Sequence, residues 1–334
     1  MPLAPLTTLQ IGGPARFFAR ARTEDQVVEA FDVAARRGLD VFVLGGGSNL
    51  LVADRGYDGL VIQVAIEGVE RDGAAVHAGA GESWDALVRL CIENCLAGVE
   101  CLSGIPGFVG GTPIQNVGAY GQEVSETIVS VRSLDRRSNE IVDLSNADCG
   151  FTYRTSIFNS TYRDRYVVLS VRYRLNDSGS PNIGYKDLRT FFGDREPNVR
   201  EVRDAVLSIR RSKSMVIDAN DPNSRSAGSF FKNPIVERDA FDELSVRFAE
   251  TSIPSFPAGD RVKIPAAWLI ERAGFSKGFR YGNVGISANH SLALVNLGGG
   301  TASEILGLKE KIETAVQQKF DILLQHEPVF IGFD

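Results

Sequence analysis

The sequence predicts an α+β protein. Capped helical segments alternate with short β-strands, regular crossover helices do not join those strands, and two long glycine-rich stretches interrupt the pattern. The first helix begins at Thr23, which caps it with Gln26 completing a capping box, and Gly38 ends it in a left-handed cap. It leads into an apolar strand, Val41-Phe-Val-Leu, and then the first glycine stretch, Leu44-Gly-Gly-Gly-Ser-Asn-Leu. An alternating segment at Leu60-Val-Ile-Gln-Val and strand-like text around Ala75–His77 follow. A helix from Ser83 to Gly98 carries apolar positions at helical spacing, including Cys91 and Cys95, and delivers the chain to the second glycine stretch, Gly104 to Gly121. Residues 127–134, 139–144 and 166–175 read as strands, and Asn176–Asn182 as a polar loop. A helix from about Asn198 ends in Arg210-Arg-Ser-Lys, and the turn-dense run Asp218–Ser226 is the main domain boundary. Beyond it lie Ser229-Phe-Phe-Lys-Asn-Pro, a short helix from Pro265 to Gly274 and a strand near Leu292–Asn296. The last helix opens on the capping box Thr301-Ala-Ser-Glu304, and the chain closes on Glu327-Pro-Val-Phe-Ile-Gly.

The glycine stretches carry the chemical signal. Glycine admits positive φ and lets a ligand approach the main chain, where successive N–H groups form a nest for an anion. Either stretch alone reads equally well as a turn-rich loop. Two of them, flanked by Asn49, Thr112, Asn116 and Tyr120, suggest one long, doubly charged ligand, a dinucleotide. Neither has the G-x-G-x-x-G spacing, and no Gly-Lys-Ser/Thr follows.

Composition narrows the classes. With 334 residues, 43% hydrophobic and 23% charged, the chain is an ordinary globular protein with room for two or three domains. A net charge of −6 argues against nucleic acid or an anionic membrane as main partner, so an anionic ligand must meet a local basic cluster. No apolar run approaches a membrane span, and the first residues lack the pattern of a signal peptide, so the expectation is a cytoplasmic protein. His77, His290 and His326 are scattered and the cysteines lack paired zinc spacing, so no metal is expected.

Several motifs, in order, carry a family resemblance. They are Leu44-Gly-Gly-Gly-Ser-Asn-Leu-Leu, Gly104-Ile-Pro-Gly with Asn116-Val-Gly-Ala-Tyr-Gly, Tyr153-Arg154, Gly228-Ser-Phe-Phe-Lys-Asn-Pro, Trp268-Leu-Ile-Glu-Arg-Ala-Gly and Glu327-Pro-Val-Phe-Ile-Gly. Nearly end to end, the chain resembles the UDP-N-acetylenolpyruvoylglucosamine reductase (MurB) family of bacterial cell-wall synthesis. Gly184-Tyr-Lys-Asp-Leu resembles the branch with a tyrosine-bearing substrate loop. The resemblance implies a two-subdomain FAD-binding module of the vanillyl-alcohol-oxidase/PCMH type, with subdomains at 1–66 and 67–214 and the substrate loop near 182–190. It also implies a C-terminal α+β substrate domain at 215–334, whose last strand can return to the FAD module.

The implied activity passes a hydride from NADPH to FAD and on to the enolpyruvyl double bond of UDP-N-acetylglucosamine enolpyruvate, giving UDP-N-acetylmuramate. It implies non-covalent FAD, NADPH as co-substrate and a monomer acting on a small molecule. Hydride addition pushes charge onto the substrate carboxylate, which calls for cationic and hydrogen-bonding groups and then a proton donor. Arg154, Ser229 and Glu327 match the family's arginine, proton donor and acidic partner. Gly45, Gly46, Gly47, Ser48, Asn49, Gly110, Gly111, Thr112, Asn116, Gly118, Tyr120 and Arg210 match cofactor positions. Tyr185, Lys213, Asn233, Lys263 and His290 match substrate positions. By composition alone Arg154 reads as a surface cation, Ser229 as a loop serine, Glu327 as a solvated acid and His290 as a strand-end histidine. Two departures stand out. Ser255-Phe-Pro-Ala-Gly-Asp puts Phe256 where a second tyrosine can occur, and Arg210-Arg-Ser-Lys-Ser-Met lacks a proline after the lysine.

Two rival readings are another FAD enzyme of the same superfamily, whose covalent members tether the flavin through histidine or cysteine, and a non-catalytic nucleotide-sugar binder, which would not need Arg154, Ser229 and Glu327 together. Neither glycine stretch holds a histidine or cysteine. Acid precipitation of the purified protein should therefore leave its yellow colour in the supernatant; colour in the pellet would mean a covalent flavin.

Overall fold

Helix starts follow their caps. Thr23 Oγ1 accepts the Gln26 N–H at 3.2 Å and opens the helix Glu24–Arg37, which stops at Gly38 in the left-handed region (φ 61°). The reciprocal bond differs from expectation: Gln26 Oε1 accepts from the Arg22 N–H at 2.7 Å, one residue before the cap. Asn198 caps Val199–Ser212 in a full box with Glu201, and Thr301 does the same with Glu304 for Ala302–Phe320. The structure, a computed structural model, describes residues 1–333.

The chain divides into two compact units, the first made of Met1, Ala15–Gly47 and Asp58–Val216. It holds a three-stranded sheet in the order Ala15–Ala21, Tyr57–Val64, Val41–Leu44, the last two parallel. It also holds a five-stranded sheet in the order Glu140–Ser145, Ile128–Asp135, Tyr166–Arg174, Ala75–Gly79, Val69–Asp72. Every pairing in the second sheet is antiparallel. One core serves both sheets, with Trp84, Val131, Leu134, Leu169 and Val171 sealed in it.

The second unit comprises Pro2–Pro14, Ser48–Tyr57 and the chain from Ile217 onward. The apolar stripe of the last helix (Ile305, Leu308, Ile312, Val316, Phe320) packs with Phe230, Phe231, Leu269 and Ile270 in its core. The final strand, Val329–Ile331, pairs in parallel with Leu50–Val52, directly after the first glycine stretch.

Three local expectations change. The helix expected from Ser83 to Gly98 covers only Trp84–Glu93. Asn94 ends it, and Cys95 turns into the left-handed region (φ 56°), so Cys95 is exposed and leaves the buried stripe. Cys91, Cys101 and Cys149 are buried, and burial pushes each thiol up to about 12, which makes them inert packing groups. Helices at Lys186–Phe192 and Arg238–Arg247 fall in text with no strong cap.

One ion pair holds the second glycine stretch to the helices beneath it. Asp85, in the first turn of Trp84–Glu93, takes two bonds from Arg203 at 2.7 and 2.8 Å. The same carboxylate accepts the Gly104 N–H at 2.6 Å. Burial alone would raise this carboxyl, but the bonds from Arg203 and Gly104 outweigh it and hold it below its ordinary value. Asp85→Ala should cost about 1–3 kcal/mol in denaturant melts, discounted because its side chain is partly exposed. The contribution of a depressed carboxyl is present above the unfolded value of about 3.9 and is lost as pH falls through the folded value. The gap between parent and Asp85→Ala should therefore close in melts taken well below pH 4; a gap unchanged there would assign the loss to packing.

Candidate active site

In the first unit the two glycine stretches meet main chain to main chain. A Cβ on Gly46 would stand 2.6 Å from Gly107 Cα and 2.9 Å from the Phe108 nitrogen. A Cβ on Gly45 or Gly111 would meet nothing within 4 Å, so those backbones face open space. Gly47 lies at φ 63° and Gly107 at φ 117°. Gly110 is small for a different reason: its Cβ would strike Ala80 Cβ at 2.6 Å. The arrangement is a bare-backbone cradle for an extended ligand.

A buried cation lies below it. Arg210 is 7% exposed, and its guanidinium donates to the carbonyls of Gly104 (3.2 Å) and Met215 (2.7 Å), neither of them an anion. Its buried Nε has no hydrogen-bond partner. Burial depresses its pKa, with Tyr120 and Asp85 opposing. An uncompensated buried charge is costly, and a phosphate is the group that would relieve it. The bare cradle and this orphaned donor together fit FAD: Gly45, Gly46, Gly47 and Gly111 would lie along it, and Arg210 would meet its charge.

The remaining residues of the second stretch serve the scaffold through their side chains. Thr112 is buried, donating to the Val109 carbonyl at 2.8 Å and sharing a 3.0 Å bond with the Tyr173 hydroxyl. Asn116 is also buried, giving its amide protons to Glu123 (2.7 Å) and the Thr152 carbonyl (3.1 Å) and accepting from the Ser125 N–H (3.2 Å). The Thr112 hydroxyl proton and both Asn116 amide protons are thus engaged within the protein. Gly118 sits in a hairpin, Gly118–Ala119 against Gln122–Glu123, closed by Tyr120 and Gly121 at φ 50° and 79°.

That hairpin tip reaches the segment that carries Tyr185. Tyr120 and Tyr185 stack edge to face at 5.6 Å, and Lys213 Nζ lies 5.9 Å from the Tyr120 ring centroid. Lys213 is also held by Asp187 at 3.2 Å. Burial raises both phenols. The base of the loop is fixed by buried Glu100, whose carboxylate accepts the Gly98 N–H (2.6 Å), Gln122 Nε2 (3.2 Å) and the Asn182 N–H (3.1 Å). Asp187 and Glu100 were not legible as site residues; the only trace of Asp187 is its place two residues after Tyr185.

Arg154 occupies the third position of a tight turn in which Thr152 and Thr155 exchange main-chain bonds at 2.9 and 3.1 Å. It is left-handed (φ 54°), as are Asn116 (45°), Tyr120 (50°) and Ser214 (55°). A non-glycine residue there costs about 1 kcal/mol or more, and such strain gathers at functional sites. Asn159 Nδ2 holds the Arg154 carbonyl at 3.1 Å, and the Asn116–Thr152 bond ties the turn to the second glycine stretch.

In the second unit three chain segments lie side by side. The Phe230 N–H donates to the Leu292 carbonyl at 2.7 Å, and the Glu327 N–H donates to the Phe230 carbonyl at 2.8 Å. Ser229 therefore stands between the segments that carry His290 and Glu327, and its Oγ is 3.4 Å from His290 Nε2. Asn49 Nδ2 donates to the Glu327 carbonyl at 3.2 Å, so this residue steadies the acid's backbone; the Ser48 carbonyl accepts from Thr8 Oγ1 at 3.4 Å. Asn233 Oδ1 accepts the Ala266 N–H at 2.9 Å, which leaves its amide protons as what it can offer. Lys263 pairs in register with Ile235 and Phe256, and its ammonium lies 6.0 Å from the Phe256 ring. Phe256 is 54% exposed, so it presents an aromatic face. Among the described residues no group of three His, Cys, Asp or Glu side chains could hold a metal ion, and no helix is long and apolar enough to cross a membrane.

Gly46→Ala should strip the protein of flavin, because the added methyl sits against Gly107 main chain that cannot swing aside. The flavin-to-protein absorbance ratio of purified material reads this, with circular dichroism as the check on folding. Full flavin occupancy in a folded Gly46→Ala protein would remove the cradle from the binding site.

Residues 15–145 match the model of an FAD binding domain, and residues 221–331 match that of the UDP-N-acetylenolpyruvoylglucosamine reductase C-terminal domain. The chain is 49% identical to UDP-N-acetylenolpyruvoylglucosamine reductase of Thermobifida fusca, over 99% of this chain and 97% of the relative. It is 46% identical to the reductase of Streptomyces coelicolor, over 99% of this chain and 89% of the relative. The crystal structure of the Thermus caldophilus reductase superposes with a TM-score of 0.68 at 26% identity, covering 99% and 98% of the two chains. The α+β architecture is thus an FAD-binding module followed by the C-terminal domain of that reductase, and the chain belongs to the UDP-N-acetylenolpyruvoylglucosamine reductase family.

Proposed function

We propose that Arg154, Ser229 and Glu327 carry the chemistry of this chain, a flavin-dependent reductase that uses NADPH to convert UDP-N-acetylglucosamine enolpyruvate to UDP-N-acetylmuramate for peptidoglycan synthesis. Bound FAD supplies the relay of hydride from NADPH to the enolpyruvyl double bond. The protein side chains manage charge and protons. Arg154 offers the substrate carboxylate a planar guanidinium fork, from a strained turn that fixes its backbone. Glu327, protonated, donates a hydrogen bond to the same oxygens as their charge grows. Ser229 gives its hydroxyl proton to the substrate α-carbon; a serine is acid enough only for a strongly basic carbanion. The observation that carries this reading is the Glu327 N–H bond to the Phe230 carbonyl, which keeps Ser229 beside Glu327.

Lys213 and Lys263 meet the anionic part of the substrate, Asn233 donates to it, and Tyr185 packs on it with its hydroxyl ready to hydrogen-bond. Arg210, Gly45, Gly46, Gly47, Ser48, Asn49, Gly110 and Gly111 line the cofactor. We read 1–66 and 67–214 as the two FAD subdomains and 215–334 as the substrate domain. We read the chain as a cytoplasmic enzyme working as a monomer; its acidic net charge argues against a nucleic-acid partner, and among the described residues no helix is long and apolar enough to cross a membrane.

Stopped-flow measurement of the two half-reactions tests the roles. Ser229→Ala should leave flavin reduction by NADPH near the parent rate and slow reoxidation by the enolpyruvyl sugar nucleotide by about 10²–10⁴-fold. Equal damage to both steps would make Ser229 structural. Arg154→Lys keeps the charge but loses the fork and should be badly impaired in turnover more than in binding. Glu327→Gln should outperform Glu327→Ala. Normal turnover of Arg154→Lys, or loss confined to binding, would make these residues substrate clamps.

A further inference from the structure

Ser229 and His290 are 61 residues apart in sequence, yet their side chains meet at 3.4 Å. Both are placed by rigid surroundings. Ser229 precedes Phe230 and Phe231, which are fully buried with ring centroids 5.4 Å apart. The Phe230–Leu292 main-chain bond then sets the distance to His290, two residues upstream of Leu292. The turn that carries His290 is itself pinned. The Ala288 N–H donates to Asn223 Oδ1 at 2.8 Å, the Asn289 N–H to Ser287 Oγ at 3.2 Å, and the Ala293 N–H to the His290 carbonyl at 3.1 Å. Ser291 Oγ is hydrogen-bonded to the Glu271 carboxylate.

A hydroxyl has one proton. If Ser229 donates it to His290, that proton cannot be aimed at substrate. Delivery requires the opposite polarity, with the proton on His290 Nε2 donated to Ser229 Oγ and the serine O–H left to point elsewhere. The same bond then stabilises the product of the transfer. The Ser229 O–H bond breaks, its proton joins the electron pair on the substrate α-carbon, and the alkoxide charge on Oγ is held by the Nε2–H until water returns a proton.

We infer that His290 is a positioning residue for this proton transfer, its Nε2–H orienting Ser229 and stabilising the serine alkoxide. This differs from the nucleotide contact expected of His290 from sequence. It rests on Ser229 being the proton donor.

The test is single-turnover reoxidation. Holoenzyme with photoreduced FAD is mixed anaerobically with UDP-N-acetylglucosamine enolpyruvate, and substrate Kd is measured separately by titration. His290→Ala should slow reoxidation about 10–100-fold while shifting Kd by less than about threefold, the size of one charge-assisted hydrogen bond made in the transition state. His290→Gln, whose amide can donate in place of Nε2–H, should recover most of the rate. Ser229→Ala/His290→Ala should be no slower than Ser229→Ala, since the histidine acts only through the serine. Should His290→Ala lose its flavin, His290→Phe supplies the same donor-free arm. A parental rate in the donor-free variants, loss confined to Kd, no recovery in His290→Gln, or additive loss in the double variant would each overturn the assignment. A parental rate in Ser229→Ala would instead overturn the proton-donor reading beneath it, so the two failures are separable.

Discussion

The approach of Gly46 to Gly107 is the constraint on which the cofactor half of this protein depends. Two loops far apart in sequence touch through main chain because neither residue has a side chain at the contact. An ordinary residue at Gly46 would push the loops apart by roughly a methyl diameter, and the open backbones of Gly45 and Gly111 would no longer belong to one surface. The strands that end there and the helices packed beneath must hold the loops in place, and the contact tolerates only glycine.

Charge placement follows from that geometry. Asp85 reaches up from its helix to the Gly104 N–H and down to Arg203, so one carboxylate fixes both the start of the second stretch and the packing of two helices. Arg210 lies close by, bonded to the Gly104 carbonyl. Asp85 is committed to Arg203, so Arg210 is buried with carbonyl oxygens as acceptors and an Nε that bonds to nothing. A fold selected for stability alone would bury an apolar residue there. Keeping the guanidinium makes sense when an anion arrives to complete it, and an acidic protein that must hold a pyrophosphate needs such a local cation.

Much of this was legible in the sequence where one residue makes the decision. Thr23, Gly38 and Thr301 each fix a helix end through their own backbone or side chain, and those ends fall where their residue types place them. The end of the Trp84–Glu93 helix was not legible, because Cys95 continues the apolar spacing of Cys91 although it turns left-handed and is exposed. Residue spacing can run on past the last helical turn. The glycine stretches announced a cradle but not the division of labour inside it, in which Thr112 and Asn116 turn inward to Tyr173, Glu123 and Thr152. A polar residue in a motif looks the same whether it faces a ligand or braces the loop that does.

Pairings across long separations were the least legible. Nothing in Gly184-Tyr-Lys-Asp-Leu says that Asp187 will meet Lys213, or that Glu100 will hold the base of that loop. These contacts set the surroundings of Tyr185 and Lys213. Lys213 is expected to bind an anion, yet here it is paired with Asp187 and lies 5.9 Å from the Tyr120 ring centroid. An anion brought to Lys213 would have to compete with that carboxylate, although an ion pair as solvent-accessible as this one is worth little, about 1 kcal/mol or less.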